Sequence, residues 1–202
     1  WSDAQVFGTT PHIRRSDAAG HVVDDLVSQG LIGAAGVALD LDNGKVYWVD
    51  SGAGTIRRAD LDGSNGELVI GGLFLPQGVA IDSINEKVYW AGTGQDLFSV
   101  AIRRANFDGT EVQDVITYPC CGGPTLYNLA LDTVHGKLYW RDTRLYRSNL
   151  DGTDAEELPP VMDEPEGGLA IDAAGGKVYW ADGDVLRANL DGTSIEIVVP
   201  TA

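Results

Sequence analysis

GVALDLDNGKVYWVDSGAGTIRRADLDGSNGELVI, residues 36–70, decides the fold, because its pattern returns along the whole chain. The stretch holds four short apolar runs, GVALD, KVYW, TIRRA and ELVI, each closed by a Gly- or Asp-rich turn. Runs of that length, bounded by such turns, read as an antiparallel four-strand meander, here labelled a to d. Internal repetition fixes the architecture more firmly than any single run. Tyr-Trp pairs recur at 47–48, 89–90, 139–140 and 179–180. Eight residues before each Trp stands an Asp that closes strand a: Asp40, Asp82, Asp132 and Asp172. After each pair comes an Arg-bearing strand c and a turn, seen as IRRADLDG (56–63), IRRANFDG (102–109), LYRSNLDG (145–152) and VLRANLDG (185–192). IRRSDAAG (13–20) is a weaker fifth copy. Trp1-Ser2-Asp3 then reads as the end of strand b in a fifth unit without strand a.

A four-strand unit of about forty residues is the period of a β-propeller blade, in which radial stacking protects the edges that a lone meander would expose. The expectation is an all-β chain of four complete blades plus one lacking its innermost strand, with residues 1–202 forming one propeller domain. Strand a alternates Val37 and Leu39 with Gly36 and Ala38, which suits crowding near an axis, and strand b supplies the wide aromatic filling.

The units resemble the YWTD repeats of the low-density lipoprotein receptor family. The Thr of that signature is replaced by Ser2, Val49, Ala91, Arg141 and Ala181, while the following Asp is kept at 3, 50, 142 and 182 and becomes Gly92 in one unit. The resemblance implies a ring of six blades, so with five seen either another segment or subunit supplies the missing strand, the ring has five blades with an open seam, or the sequence is part of a longer parent chain. It also implies that Asp50, Asp142 and Asp182 form hydrogen bonds between strands. Asp40, Asp82, Asp132 and Asp172 are expected to accept turn amides and hold the a–b hairpins.

Composition narrows the functions. With 14 Lys and Arg against 30 Asp and Glu, the net charge is −16, which repels a nucleic-acid backbone and favours partners with basic patches. No apolar run is long enough for a membrane-spanning helix, so membrane insertion is not expected. No Gly-x-Ser-x-Gly elbow, glycine-rich phosphate loop or Cys-His pairing points to nucleophilic catalysis. No cofactor is expected, although calcium is the ion that a ring of carboxylates would take. His12, His21 and His135 map to a b–c loop, an outer strand and an opposite-face turn, which argues against a shared histidine metal site.

Departures from the repeat locate the candidate sites. The intervals between Trp1, Trp48, Trp90, Trp140 and Trp180 run 47, 42, 50 and 40 residues, and all the variation falls in b–c and d–a connections. Strands alternate in direction, so those connections share one face of the ring. The long ones, residues 2–12, 92–101 and 117–127, bring Phe7, His12, Phe98, Tyr118 and Tyr127 to that face, joined by Phe74, Arg141, Arg144, Asp163 and Glu164. Gln77, Asn128 and Glu166 fall near entrances of strand a and form the candidate axial site. Cys120 and Cys121 are adjacent, which leaves open two free thiols, bonds to another chain, or a strained vicinal disulfide.

The leading reading is a non-enzymatic extracellular or cell-envelope propeller that binds a protein or structures an assembly through the b–c/d–a face. The alternative is a metal-assisted hydrolase or lyase of a small ester or sugar acid, working at the axial site.

Overall fold

The structure is a computed structural model that describes residues 2, 3, 10–17, 19–21, 23–93, 99–118, 126, 128–142, 144–159 and 168–200. Blade 1 has three strands, β1 (Ser2–Asp3), β2 (His12–Ser16) and β3 (Val23–Val27). Blade 2 comprises β4 (Ala34–Asp40), β5 (Lys45–Asp50), β6 (Thr55–Asp60) and β7 (Glu67–Ile70); blade 3 comprises β8 (Val79–Asp82), β9 (Lys87–Thr93), β10 (Val100–Asn106) and β11 (Gln113–Tyr118). Blade 4 follows with β12 (Asn128–Asp132), β13 (Lys137–Arg141), β14 (Leu145–Asn149) and β15 (Glu156–Glu157). Blade 5 has β16 (Leu169–Asp172), β17 (Lys177–Asp182), β18 (Asp184–Asn189) and β19 (Glu196–Val199). All pairings are antiparallel between consecutive strands, as the meander requires, and blade 1 shows no strand a among the described residues. Ser2 faces Ile13 as Val49 faces Ile56, which places the chain start in register with strand b of the other blades.

The core lies between blades. Tyr47, Val49 and Ile56 of blade 2 meet Val79, Val88, Trp90 and Ala105 of blade 3, and the same residue classes recur between blades 3 and 4 and between 4 and 5. Each Tyr of a Tyr-Trp pair faces the following blade and each Trp the preceding one, because adjacent strand residues point to opposite faces. Trp48, Trp90, Trp140 and Trp180 are at most 2% exposed. Strand a departs from expectation in one place: Leu39 is 56% exposed. It pairs with Val46 on the side facing blade 1, where no strand a covers it among the described residues.

Two faces emerge from the turns. On the first, here the turn face, the a–b and c–d turns of each blade are bonded together, Leu61 N to Gly44 O, Phe107 N to Glu86 O, Leu150 N to Gly136 O and Leu190 N to Gly176 O. A repeated latch then ties this face to the next blade. The Arg at the third position of the strand-c motif donates to the carbonyl of the residue before the Asp-Gly turn of the following blade: Arg15 to Leu61 (3.1 Å), Arg58 to Phe107 (3.3 Å), Arg104 to Leu150 (3.2 Å) and Arg147 to Leu190 (3.0 Å). Tyr89 and Tyr139 hydroxyls donate to the same Leu150 and Leu190 carbonyls, each at 3.1 Å. Burial pushes the phenols of Tyr47, Tyr89 and Tyr139 upward, which keeps them neutral, and the Tyr47 hydroxyl accepts from Arg58 at 3.1 Å. At the end of the array Arg187 bonds Glu196 of its own strand d at 3.0 Å.

The strand-a carboxylates hold the hairpins as expected. Asp40 and Asp82 each accept the backbone N–H and side-chain amide of the Asn three residues on, while Asp132 accepts the N–H of His135 and Asp172 that of Gly175. Asp40 also accepts Ser83 Oγ of blade 3 at 2.8 Å. Burial alone would raise the Asp40 pKa, but the Asn43 and Ser83 donors outweigh it and hold the carboxyl below its ordinary value. Hydroxyls of Ser64, Thr110, Thr153 and Thr193 hold Asp62, Asp108, Asp151 and Asp191 low in the c–d turns. A carboxyl with a depressed folded-state pKa stabilises the fold above its unfolded value and loses that contribution as pH falls through the folded value. Thermal unfolding followed by circular dichroism is therefore expected to be flat between about pH 7 and pH 5 and to shift to lower temperature below about pH 4.

Candidate functional site

The opposite face, here the insertion face, carries the b–c and d–a connections, and the short ones interlock. Asp50 ends β5 and accepts the amides of Ile32 (3.1 Å), Gly33 (2.9 Å) and Ala53 (3.0 Å), so one carboxylate fixes the b–c turn of blade 2 and the d–a connection before it. Ser51 N donates to Gly33 O and Leu73 N to Gly54 O, which carries the same turn across to the next connection. Thr93 N donates to Phe74 O, and Gln77 and Ala91 tie that connection to β9. Side chains from these segments stand out into solvent: Ile32 is 61%, Phe74 57% and Leu75 58% exposed. Leu75 holds φ 48°, a left-handed conformation that a branched side chain adopts at a cost. Two connections, both tied to the 51–54 turn by backbone hydrogen bonds, therefore leave three large apolar side chains in solvent on the same face.

Phe74 lies on the exposed insertion face, where the sequence reading places it. Arg144 is exposed and bonded to Glu157 at 2.6 Å, with its N–H donating to Asp142. His12 opens strand β2 instead of lying in a loop, and its ring stands 3.3 Å from Asp25. His135 occupies the turn of the opposite face, whereas His21 precedes β3 in the c–d turn of blade 1 instead of lying in the outer strand.

Two residues require correction. Arg141 is only 3% exposed and donates to Ala181 O at 3.0 Å, so it binds blade 4 to blade 5 from within. Tyr118 is half-buried, and its hydroxyl accepts the Trp140 indole N–H at 3.0 Å, closing the joint between blades 3 and 4. Both sit where strands end, where a long side chain can fold back over the next blade.

Of the axial set, Gln77 precedes β8 and Asn128 begins β12, so they share one end of two neighbouring inner strands. Gln77 O accepts Gly36 N at 3.2 Å, and a Cβ on Gly36 would stand 2.9 Å from that oxygen, so the innermost strands approach closely there. No cluster of three His, Cys, Asp or Glu side chains arranged to hold a metal occurs among the described residues. Phe7, Phe98, Tyr127, Asp163, Glu164, Glu166, Cys120 and Cys121 lie outside the described residues. Sequence reasoning missed Ile32 and Leu75. Their signal is an apolar residue inside a Gly-flanked connection, as in QGLIG and GGLFLPQG, with no strand periodicity to bury it.

Among known proteins, residues 44–83 match the low-density lipoprotein receptor repeat class B. Similar solved structures are propellers of diverse description. One chain, described as a nidogen/laminin complex, is 22% identical with a TM-score of 0.79, over 98% of this chain and 77% of that one. A gluconolactonase from Xanthomonas campestris is 20% identical with a TM-score of 0.75, covering 96% of this chain and 69% of its own. TolB from Acinetobacter baumannii is 12% identical with a TM-score of 0.76, covering 95% of this chain and 49% of its own. At such identities the likeness bears on fold alone. No described helix is long and apolar enough to cross a membrane. Sheet order and structural likeness converge on the fold: the chain is a β-propeller array whose residues 44–83 match the low-density lipoprotein receptor class B repeat.

Proposed function

We propose that this chain works as one propeller unit that binds a protein partner through its insertion face, in an extracellular or cell-envelope setting, without catalysis. The observation that carries the reading is the contrast between the two faces. Turn-face Arg and Tyr side chains latch one blade to the next and its exposed apolar residues, Leu41, Ile84 and Val134, stand one to each a–b turn, whereas the insertion face leaves Ile32, Phe74 and Leu75 in solvent on connections tied together by hydrogen bonds. Adjacent exposed apolar side chains on a fixed scaffold are the usual core of a binding patch. An acidic chain of net charge −16 favours a partner whose rim is basic, chiefly through the rate of encounter. Blade 5 ends the array with Tyr179 and Arg187 set as in the other latches, so a further blade from another segment or subunit would complete the ring there. The nidogen/laminin likeness agrees with a protein ligand, although its weight here is that of a shared fold.

A photo-crosslinking amino acid at position 74, compared with one at the still more exposed Val134 of the turn face, tests the assignment. In material from the native source, a discrete adduct is expected from position 74 and none of comparable yield from position 134. Equal capture at the two positions, or capture at 134 alone, would contradict the assignment.

A further inference from the structure

The joints between blades are closed in different ways, and at blades 2 and 5 the buried indole N–H groups of Trp48 and Trp180 find no partner among the described residues. Each strand-b Trp packs against the preceding blade, near its outer strand. At blade 4 the Trp140 N–H is accepted by Tyr118, and Tyr146 stacks on the indole at 5.6 Å. At blade 3 the Arg103 guanidinium lies 5.5 Å from the Trp90 ring and is held by Asp114 at 2.8 Å. Blade 2 has neither closure. Strand register puts Gln29 where Tyr118 stands, and it sets Leu68 opposite Arg57 where Asp114 faces Arg103.

The consequence is a pair of donors without acceptors. Trp48 is 2% exposed and its Nε1 has no hydrogen-bond partner among the described residues. Arg57 is half-buried, and no carboxylate among the described residues lies within ion-pair distance of it. Both side chains line a cleft of 410 Å³ between blades 1 and 2, walled by Leu26 and Leu31 and edged by Gln29.

We propose that this cleft binds a carboxylate, with the Arg57 guanidinium taking the anion and the Trp48 indole N–H taking one of its oxygens. Guanidinium and indole N–H groups donate only, so the complementary ligand presents acceptors. The planar fork of Arg matches a carboxylate, and an uncompensated cation favours an anion over a neutral carbonyl. The leucine walls suit a short aliphatic body behind the charged group. Because the Trp48 N–H is shielded from water, a ligand oxygen reaches it as the exposed 28–30 segment at the lip moves aside. The carboxylate belongs either to a small organic acid or to an acidic side chain of a protein segment. The site is independent of the insertion-face patch and stands or falls separately.

Two-dimensional ¹H–¹⁵N spectra of the full chain test it, with the Trp48 indole signal assigned through Trp48→Phe. Sodium glutarate and an acetylated, amidated tetraglutamate peptide are titrated separately, against sodium chloride at matched ionic strength. The expected result is a saturable shift of the Trp48 signal with at least one probe while the Trp90 and Trp140 signals stay in place. Saturation by glutarate alone identifies a small acid; saturation by the peptide identifies an acidic segment. Arg57→Gln should weaken binding about tenfold or more. Leu68→Asp and Gln29→Tyr each supply in-house the closure present at blades 3 and 4, so both should suppress the shift in a chain whose other signals remain native. No saturable shift with either probe, an equal shift with chloride, or undiminished binding by Arg57→Gln would overturn the proposal.

Discussion

Gly109→Ala is expected to lower the free energy of unfolding by about 3 kcal/mol, and Gly136→Ala by about 1 kcal/mol. Both glycines have positive φ, 80° and 67°, so both variants incur the backbone cost of a side chain in the left-handed region. They differ in what the new methyl group would meet. A Cβ at Gly109 would stand 2.2 Å from the carbonyl oxygen of Val69 in the preceding blade, whereas a Cβ at Gly136 has nothing within 4 Å. The same close approach recurs at Gly63 against Leu26 O and Gly152 against Val115 O. The Asp-Gly turn is thus fixed by the neighbouring blade as much as by its own hairpin. For a chain of this size 1 kcal/mol moves the thermal midpoint by roughly 2–4 °C, so calorimetry should separate the two variants by several degrees. Equal losses would mean that the blades do not meet at these turns.

The second large effect is expected from the latch. Leu150 O accepts both the Tyr89 hydroxyl and the Arg104 guanidinium, so either donor alone still satisfies it. Tyr89→Phe and Arg104→Met should each cost about 1 kcal/mol, while the double variant, which leaves the carbonyl unpaired at a blade joint, should cost about 3 kcal/mol. Denaturant titration of the four proteins in a double-mutant cycle measures the excess. Strict additivity would show that the two donors do not share an acceptor.

The parts of the fold legible in the sequence are those set by neighbours within one meander. The Tyr-Trp pair, the Asp eight residues before each Trp and the Asp-Gly turn fix strand order, register and the hairpin role of Asp40 and its counterparts. Contacts that cross from one blade to the next were not legible. Tyr118 and Arg141 look like exposed loop residues in the sequence, yet each folds over the following blade and bonds there, because the acceptor or donor lies 22 or 40 positions away. Leu39 looks buried from its alternation, but the blade that would cover it shows no inner strand among the described residues. That the b–c and d–a connections share one face was legible from loop lengths, and the exposure of Phe74 from the composition of its connection. Ile32 and Leu75 were not, since their exposure follows from amides fixed by Asp50 and from a left-handed backbone at residue 75.

The central claim is that the turn face holds the blades together while the insertion face is kept for a partner. The most direct measurement is the denaturant midpoint of the Ile32→Ser, Phe74→Ser, Leu75→Asn variant, in which Asn tolerates the left-handed backbone at position 75. The account predicts a midpoint within error of the parent chain, together with loss of partner capture by a crosslinking residue placed at the exposed Ala53 of the same face. A fall as large as that of Gly109→Ala would mean that these side chains serve the fold, and would contradict the claim.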